Sequence, residues 1–444
     1  MTPANAMNQM KKQFALIIFS LATVVRVVTG WTSLRHPEAA WCPDATGYHE
    51  LAAALLQGEF PSLFRTPGYP IFLALTGATS GNHVLSALLV QILLDALTAV
   101  LLAAIAQRIF ENDAAALLTG VLYAFCPVMA ALCGLIVSEP LAIFLVVSAL
   151  FVMLTYQSIP GLLAQTLLWF AATMVRPSYA LLPLVASFFM VLQPKFSVTL
   201  KRQIMMLGLY AVLTGTWIGF NYTRAGMLSL SSNPDVSFYI YDTAAVRLAE
   251  RLSMGGYMRL ALLNPPEFDR QLEQAQIDYA SEAQTNLPAP ARDLWFTKDD
   301  PTQFRTLRAE AIKKLEGKWQ IIFGIHLTGA LQSLRPKWNS VGWFFRVLDG
   351  LRMLLLPLAV ALLLWRRQWW LLAFFAVWAG YALLPPGPVG AWRFRSLIEP
   401  FICLTLSSAL LIIVQEVLQY ATAINHLNLS LIKEPSPKLS VNKL

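Results

Sequence analysis

Carboxylates and guanidinium groups recur in this sequence at the ends of long apolar segments. Asp44 follows the first apolar segment, and Glu139 stands at the start of a later one. Arg65 lies between them in the chain, and Arg393 begins the last apolar segment. A carboxylate can take a proton from a hydroxyl group, and a guanidinium fork matches the geometry of phosphate oxygens. These residue types are therefore suited to proton transfer beside a bound anion.

The two acids also have structural interpretations. Asp44 lies where an N-cap residue would begin an amphipathic helix, and a helix cap needs no catalytic role. Glu139 precedes Pro140, a residue that suits the first turn of a helix, so Glu139 can be a cap as well. Acids near bilayer depth are costly, however, and usually have a functional partner. Both interpretations stay open for both residues.

The arginines present the same choice. Arg65 opens the rigid turn "RTPGYP", where it either reaches the membrane surface as a long side chain or binds an anion. Arg393 and Arg395 flank the outer start of a late apolar segment, against the usual excess of positive charge inside, which indicates a bound anion. The alternative for them is an ion pair with Glu399. Arg176 either binds substrate or simply precedes a helix-breaking proline.

Other polar residues favour structural interpretations. Asp95 lies inside an apolar segment, where we expect it to partner another buried polar group. His49 and Glu50 fall on the helix that follows Asp44, where solvated side chains are expected. Cys42 and Cys133 both fall on the outer side and could form a disulfide in an oxidising compartment.

The composition is that of an integral membrane protein. Of the 444 residues, 57% are hydrophobic and only 13% are charged, whereas soluble proteins have about 25% charged residues. The first apolar segment lacks a cleavage site and is interpreted as a retained anchor. The net charge of +8 is attributed to Lys and Arg in cytoplasmic loops rather than to nucleic-acid binding. No CxxC pair or Cys/His cluster occurs, which argues against a structural zinc site.

About ten segments are apolar enough to cross a bilayer, which needs roughly 20 residues of helix. The predicted spans are 14–32, 84–106, 114–132, 137–156, 160–176, 178–193, 203–221, 345–365, 369–386 and 394–418. The basic loops fall on one side if both termini are cytoplasmic. The segment "WQIIFGIHLTGALQSL" (319–334) is short, and we predict that it lies at the membrane interface, although a membrane-spanning role stays open.

The predicted organisation has four parts. They are an N-terminal transmembrane module (1–221) whose first outer loop (33–83) carries the site, an extracytoplasmic region (222–343), C-terminal spans (344–419) and a flexible cytoplasmic tail (420–444). Near the end of the extracytoplasmic region, residues 304–315 show amphipathic helical spacing that suits an interfacial helix. We therefore predict an all-α polytopic membrane protein with a mixed extracytoplasmic loop region.

Four stretches together resemble a known family. "PDATGYHELAAALLQGEF" with "RTPGYPIFLAL" is similar to the first outer loop of GT-C fold glycosyltransferases, and in particular of the dolichyl-phosphate-mannose–protein mannosyltransferase-like group. "LIVSEPLAIFLV" resembles that group's acid at the start of a span, "GTWIGFNYTRAG" its Trp-x-x-x-Asn exit into the large loop, and "WRFRSLIEPF" its Arg-rich start of a late span. Two departures, Ala45 after Asp44 and Phe220 before Asn221, leave the metal dependence and the sugar unassigned.

The resemblance implies a helical bundle with two juxtamembrane helices beneath an extracytoplasmic region. It implies transfer of a sugar, with inversion, from a polyprenyl-phosphate donor of undecaprenyl or dolichyl type to a hydroxyl group of a lipid, glycan or protein. Asp44 would be the general base, and Glu139 would orient the acceptor or raise the pKa of Asp44 through like charge. The phosphate-binding residues implied are Arg65, Arg393, Arg395 and Arg176. The implied substrate contacts are Tyr48, Tyr69, His49 and Asn221.

No cofactor is required by this chemistry, and a divalent metal is compatible with it but not indicated. The implied location is the plasma (inner) membrane, with the active site on the periplasmic or extracellular face. The implied partners are the donor, the acceptor and membrane lipids, but no nucleic acid. Two other classes fit the composition: a multi-pass secondary transporter of an anionic or lipid-linked substrate, and a non-catalytic membrane assembly protein.

Overall fold

The computed structural model describes residues 3–59, 62–79, 84–196, 198–283, 301–335, 342–389 and 392–432. Within these ranges the chain is helical and has no β-strand, so the all-α prediction is confirmed. The N-terminal α-helices are α1 (Pro3–Thr29), α2 (Pro43–Leu56), α3 (Gly68–Leu75), α4 (Val84–Phe110), α5 (Asp113–Ala124), α6 (Pro127–Leu132), α7 (Glu139–Thr155), α8 (Ile159–Val175), α9 (Leu182–Val191) and α10 (Leu200–Ala225). One further turn of α-helix, Trp31–Arg35, follows α1.

The rest of the described chain is equally helical. After the short turns Asn233–Ser237 and Phe238–Asp242, its helices are α11 (Thr243–Leu252), α12 (Met254–Leu263), α13 (Pro265–Ala283), α14 (Pro301–Leu315), α15 (Trp319–Ser333), α16 (Trp343–Trp365), α17 (Trp369–Leu383) and α18 (Glu399–Ile432). A 3₁₀ helix, Trp392–Ile398, leads into α18. The last helix therefore runs well past residue 420, where the sequence predicted a flexible tail, and residues 433–444 lie outside the described ranges.

Five segments in the described ranges are long and apolar enough to cross a membrane. They are Lys12–Thr29, Val84–Phe110, Leu200–Ala225, Trp343–Trp365 and Trp392–Tyr420. Five shorter apolar helices accompany them, namely Asp113–Ala124, Glu139–Thr155, Ile159–Val175, Pro177–Val191 and Trp369–Leu383. Each of the ten predicted spans overlaps one of these helices, which makes the chain a polytopic membrane protein, while the exact number of crossings stays a prediction.

The third predicted span, 114–132, is wrong as a single helix. The helix α5 ends at Ala124, and α6 begins only at Pro127. Proline has no backbone N–H and its ring clashes with the preceding turn, which favours a break in the helix at this point. A break of this kind inside a membrane protein leaves backbone carbonyls that need other donors.

Arg26 of α1 supplies those donors. Its Nη2 donates to the carbonyl oxygen of Tyr123 at 3.0 Å, and its Nη1 bonds to the carbonyl of Ala124. Its Nε donates to Oδ2 of Asp95 at 2.7 Å, and Tyr123 Oη donates to the other oxygen of Asp95 at 2.9 Å. The prediction that Asp95 partners a buried polar group is thus confirmed, and the cation inside the first apolar segment has a structural role.

The two helices of the first outer loop are the expected juxtamembrane pair. Buried residues of α2 recur at helical spacing at Ala45, Tyr48 and Ala52, and Gly58 follows the helix with a positive φ of 76° that favours glycine. A Cβ atom on Gly68, at the start of α3, would lie 2.5 Å from the carbonyl carbon and oxygen of Met174. Glycine therefore lets this turn pack directly on the end of α8.

The described part of the predicted extracytoplasmic region, 222–283 and 301–335, is helical rather than mixed. Its helices enclose a separate apolar cluster that includes Leu248, Tyr257, Phe268 and Ile325. The last of these residues belongs to α15, which has only 15 residues and packs in this cluster. The interfacial position of 319–334 stays a prediction, because α17 has the same length and overlaps a predicted span.

Candidate active site

The centre of the candidate site is a carboxylate held between two guanidinium groups. Arg65 donates from Nη2 to Asp44 Oδ1 at 3.0 Å, and Arg393 donates from Nη1 to Asp44 Oδ2 at 2.5 Å. The three residues come from α2, from the loop before α3 and from the 3₁₀ helix before α18. Both oxygens of the carboxylate are thus engaged by cations from opposite ends of the chain.

The second predicted acid continues this row of charges. Glu139 Oε1 lies 4.0 Å from Nε of Arg393 and forms an ion pair at 2.8 Å with Nη1 of Arg176. Arg176 also donates to Oγ of Ser138 at 3.0 Å. Positive and negative groups therefore alternate from Arg65 through Asp44, Arg393 and Glu139 to Arg176. The structure brings together five of the residues that the sequence singled out.

Asp44 is not the N-cap that the sequence predicted. The cap position belongs to Cys42, whose side chain makes no capping hydrogen bond, and Pro43 starts the helix. Asp44 is in the first turn, where a negative charge is favoured by the helix dipole, and its carboxylate binds the arginines instead of the backbone. The capping interpretation therefore does not explain this acid.

The Tyr48 ring packs against Arg65 and supports its position. Its guanidinium carbon lies 4.2 Å from the ring centroid of Tyr48, close enough for a cation–π interaction. The Tyr48 hydroxyl donates to Ser138 Oγ at 3.3 Å, which ties the ring to the start of α7. A Cβ atom on Gly47 would lie 3.3 Å from Arg65 Nε, so glycine at this position leaves the arginine room. Tyr48 is thus a support for Arg65 more than a substrate contact.

The other predicted substrate contacts are in structural positions. Tyr69 is fully buried and donates to Oε1 of Gln91 at 2.5 Å. Asn221 is buried and donates from Nδ2 to the carbonyl oxygen of Ser229 at 2.9 Å, which fixes the chain as it leaves α10. His49 packs against Trp41 with ring centroids 5.3 Å apart, and its Nε2 is buried without a hydrogen bond. Asn221 Oδ1 is likewise buried without a hydrogen bond, whereas the Tyr69 hydroxyl has a partner.

Arg395 belongs to a different cluster from Arg393. Its side chain is fully buried, where it donates from Nε to Glu399 Oε1 at 2.7 Å and from Nη2 to Asp349 Oδ1 at 2.6 Å. Arg352 of α16 binds the other oxygen of Glu399 at 2.6 Å. The ion pair that the sequence left open for Arg395 is therefore present, and the phosphate-binding role is not supported. This cluster anchors the 3₁₀ helix that carries Arg393.

The field of the arginines decides the protonation state of the central acid. Burial alone would raise the pKa of Asp44, but Arg393 and Arg65 oppose it, and the pKa lies well below its usual range. The two flanking arginines dominate the pKa of Asp44, and the smaller raising effect expected from Glu139 stays a prediction. Burial lowers the pKa of Arg65, but Tyr48 and Asp44 raise it by more, so this cation stays charged.

Exposure separates the groups that a substrate could reach from those that support them. The side chains of Arg393 and Asp44 are 32% and 26% exposed, whereas that of Glu139 is 2% exposed. Cys42 and Cys133 are both free, so the disulfide considered from the sequence is not formed. Within the described ranges, no three His, Cys, Asp or Glu side chains converge in a metal-binding group.

Sequence reasoning missed two groups. Ser138 is one, because it was noted only as the residue before Glu139, although it accepts from both Arg176 and Tyr48. Tyr241 is the other: burial raises its pKa to about 12, and the charges of Asp44 and Arg393 also act on it. No motif in the sequence marks Tyr241, since it lies in the short turn Phe238–Asp242 between the longer helices.

The fold and this cluster define a class: an all-helical, polytopic membrane protein with an acid–arginine site at one end of its helices. Residues 65–218 match the family model of dolichyl-phosphate-mannose-protein mannosyltransferases. The resemblance drawn from the motifs is confirmed over that range, which contains Arg65, Glu139 and Arg176. Comparison with curated protein sequences gives no match.

Two solved structures are also similar to the chain. They are crystal structures of ArnT from Cupriavidus metallidurans, one bound to undecaprenyl phosphate and one in the apo state. The bound form has 15% sequence identity and a TM-score of 0.39, with 89% of this chain and 77% of that chain covered. The apo form has 14% identity and a TM-score of 0.38, with 90% and 77% covered.

Proposed function

We propose that this protein is a glycosyltransferase that moves a sugar from a polyprenyl-phosphate donor to a hydroxyl acceptor, with inversion at the anomeric carbon. The family match over 65–218 supports the reaction class. The observation that carries the proposal is the position of Asp44 between Arg65 and Arg393, at a partly exposed edge of the cluster. Such a site offers a proton acceptor and a phosphate-binding cation within one side chain's reach of each other.

Asp44 would act as the general base. Its carboxylate takes the proton of the acceptor hydroxyl while the acceptor oxygen forms a bond to the anomeric carbon. The bond from that carbon to the phosphate oxygen breaks, and its electron pair leaves with the polyprenyl phosphate. Arg393 and Arg65 would bind the leaving phosphate, whose charge grows in the transition state. Glu139, which is buried, would hold Arg176 and Arg393 in place from below.

Donor binding would also prepare the base. With both oxygens paired to arginines, Asp44 has a low pKa and is a weak base. A phosphate that competes for Arg393 would draw this cation away from Oδ2 and free that oxygen for the acceptor hydroxyl. Loss of one opposite charge raises the pKa of a carboxylate and makes it a stronger base. The free protein is thus held in a resting state that the donor activates.

The guanidinium groups supply the charge that stabilises the leaving phosphate, so we propose that the reaction requires no cofactor. The donor's prenyl chain would lie in lipid between the helices, and the acceptor would be a lipid, a glycan or a protein. The distribution of Lys and Arg supports cytoplasmic termini and a site on the outer face of the plasma membrane. Activity that survives a chelator would support this view, and a full loss that Mg²⁺ or Mn²⁺ restores would contradict it.

The function is tested by reconstituting the full chain in liposomes with a panel of polyprenyl-phosphate sugars. The products to be measured are the glycosylated acceptor and the released polyprenyl phosphate. Asp44→Asn keeps the shape of the side chain but cannot take a proton, so we expect a loss of about 10²–10⁴ in rate. The matched control is Glu50→Gln, an exposed acid on the same helix.

The outcomes separate the competing classes. Transfer by the parent and by Glu50→Gln, but not by folded Asp44→Asn, supports the proposal. Equal transfer by the parent and Asp44→Asn would reduce this acid to a structural role. Uptake or exchange of the donor across the membrane without any new glycosidic bond would instead establish a transporter.

A further inference from the structure

A second cluster of cations lies at the other end of the bundle. A cavity of about 430 Å³ is bordered there by Arg108, Lys195, Glu111, Thr155 and Gln157. Cavities of roughly 300–1,000 Å³ are typical of sites for small ligands. The volume is therefore large enough for a phosphate group together with part of the molecule that carries it.

The helix α7 fixes the position of this cavity relative to the candidate active site. Glu139 begins the helix and Thr155 ends it. At 1.5 Å per residue, the two ends are roughly 24 Å apart. The cavity therefore opens at the opposite end of the bundle, on the side that the Lys and Arg distribution assigns to the cytoplasm. It shares no residue with the cluster around Asp44.

Both lining cations contact the ends of neighbouring helices. Arg108 donates from Nη1 to the carbonyl oxygen of Leu154 at 3.3 Å. Lys195 donates from Nζ to the carbonyl oxygen of Ile109 at 2.6 Å, and it pairs with Glu111 at 3.1 Å. A guanidinium has five N–H donors and an ammonium has three, so these contacts leave donors for a ligand. Both cations therefore keep N–H donors that are not used by the helix ends.

Two residues at or near this cavity have unsatisfied polar atoms. Thr155 borders the cavity, and its hydroxyl oxygen is buried without a hydrogen bond. Arg202 is 7% exposed, and its Nε and Nη2 make no hydrogen bond, while its Nη1 donates to Oε1 of Gln157 at 2.7 Å. Buried donors without partners are costly. A polar ligand that enters the cavity could supply partners for these atoms.

We propose that this cavity binds a phosphate group, carried by an anionic lipid or by a small soluble phosphate ester. Arginine, lysine and a hydroxyl group together match the several acceptor oxygens of phosphate. Glu111, the acid at the rim, is 73% exposed and can turn away when an anion enters. The cavity lies at the end of α7, which is predicted to span the membrane, and this position favours a lipid as the source.

The test measures binding of dihexanoyl phosphatidate to the purified full chain by calorimetry. Dihexanoylglycerol, which lacks the phosphate, is the negative probe, and glycerol phosphate is the soluble probe. Lys195→Gln is expected to weaken phosphatidate binding at least tenfold, since one hydrogen bond between charged groups contributes about 1.5–3 kcal/mol. Lys201→Gln, which removes an exposed cation on the same side, should leave binding unchanged.

Two further variants keep the result decisive. Thr155→Val has the same shape, removes only the unsatisfied hydroxyl, and should weaken binding even if Lys195→Gln proves unstable. Arg393→Ala tests the candidate active site and should leave this binding intact. Binding of phosphatidate alone identifies a lipid site, and equal binding of glycerol phosphate identifies a soluble ligand. Binding that survives Lys195→Gln and Thr155→Val, or that is lost in Arg393→Ala, would overturn the proposal, as would no binding at all.

Discussion

Arg393 Nη1 lies 2.5 Å from Asp44 Oδ2, although 349 positions separate the two residues in the sequence. This contact joins the first outer loop to the segment that starts the last helix, so the cluster is complete only when both ends of the chain have packed together. Arg395 anchors the same segment to Asp349 and Glu399 in a buried cluster. The exposed half of the segment can therefore bind an anion while the buried half holds its position.

The first prediction concerns the pH dependence of transfer in Arg393→Ala. The pKa of Asp44 lies well below its usual range because Arg393 and Arg65 outweigh the effect of burial. Removing Arg393 raises that pKa, so the acid limb of kcat/KM should appear at a higher pH than in the parent, together with a slower rate. The measurement is a pH–rate profile of sugar transfer in liposomes. Arg35→Ala, at an exposed arginine of the outer loop, is the control, and an unshifted acid limb would separate Arg393 from the base.

The second prediction is that Arg65→Lys retains only part of the activity. Lysine keeps the charge but lacks the fork and stacks less well on the Tyr48 ring, 4.2 Å from the guanidinium carbon. We expect the donor KM to rise and kcat to fall, with Arg65→Ala about 10–100-fold down in kcat/KM. Steady-state kinetics over a range of donor concentrations checks this. Parental kinetics in Arg65→Ala would remove Arg65 from the phosphate site.

The third prediction addresses the turn that positions Arg65. In Gly68→Ala the new Cβ would lie 2.5 Å from the Met174 carbonyl, and backbone at that position cannot easily move aside. Overpacking of this kind costs about 1–3 kcal/mol, so the variant should unfold at a lower temperature and transfer sugar slowly. Gly208→Ala is the control, since no atom lies within 4 Å of its Cβ position. Equal melting temperatures for Gly68→Ala and the parent would show that the turn does not need glycine.

Much of the site was predictable because the predicted topology places Asp44, Arg65, Glu139 and Arg393 in loops on the same side of the membrane. The topology does not decide which of the two neighbouring arginines, Arg393 or Arg395, faces the site. Arg393 and Arg395 lie in a 3₁₀ helix, where residues two apart point in different directions. Of the two buried acids that bind Arg395, Glu399 is four residues away, but Asp349 comes from a distant position.

The fold was predictable where the length of an apolar segment alone indicates a helix. The break in the third predicted span was not predictable, because the segment is apolar throughout and Pro127 suits the start of a helix as well as the end of one. The stabilising partner, Arg26, lies about a hundred residues earlier. In the same way, Tyr69 and Asn221 carry polar groups that suit a substrate, but their partners are visible only once the helices pack.

The fourth prediction concerns orientation. The basic loops indicate that α11 to α13 face outward and that the start of α10 faces inward. A Cys42→Ala background removes the partly exposed native thiol of the outer loop. Glu273→Cys, an exposed position of α13, should then react with an impermeant maleimide in intact cells, and Lys201→Cys should react only after permeabilisation. The reverse labelling pattern would show that the protein has the opposite orientation in the membrane.

The last prediction concerns a histidine that joins the extracytoplasmic region to the membrane helices. His326 of α15 places Nδ1 2.8 Å from the carbonyl oxygen of Leu384 and Nε2 2.7 Å from Oδ1 of Asp242. A carbonyl and an ionised carboxylate both only accept hydrogen bonds, so both nitrogens must carry a proton. Burial lowers the pKa of His326, but the hydrogen bond and charge of Asp242 and the Leu384 carbonyl outweigh it, and the pKa is raised above 6.5.

A histidine whose pKa is raised on folding stabilises the fold fully below its unfolded pKa of about 6.5, and this contribution is lost as the pH rises through the folded value. The parent should therefore melt at a lower temperature at pH 8.5 than at pH 6. His326→Gln cannot take up the proton, so its melting temperature should be lower than the parent's at pH 6 and should depend less on pH across this window. His36→Gln, at a side chain 65% exposed, is the control and should keep the parental slope. Melting curves followed by tryptophan fluorescence from pH 5.5 to 9 decide the question. A parental slope in His326→Gln would mean that Asp242 holds α15 without a charged histidine.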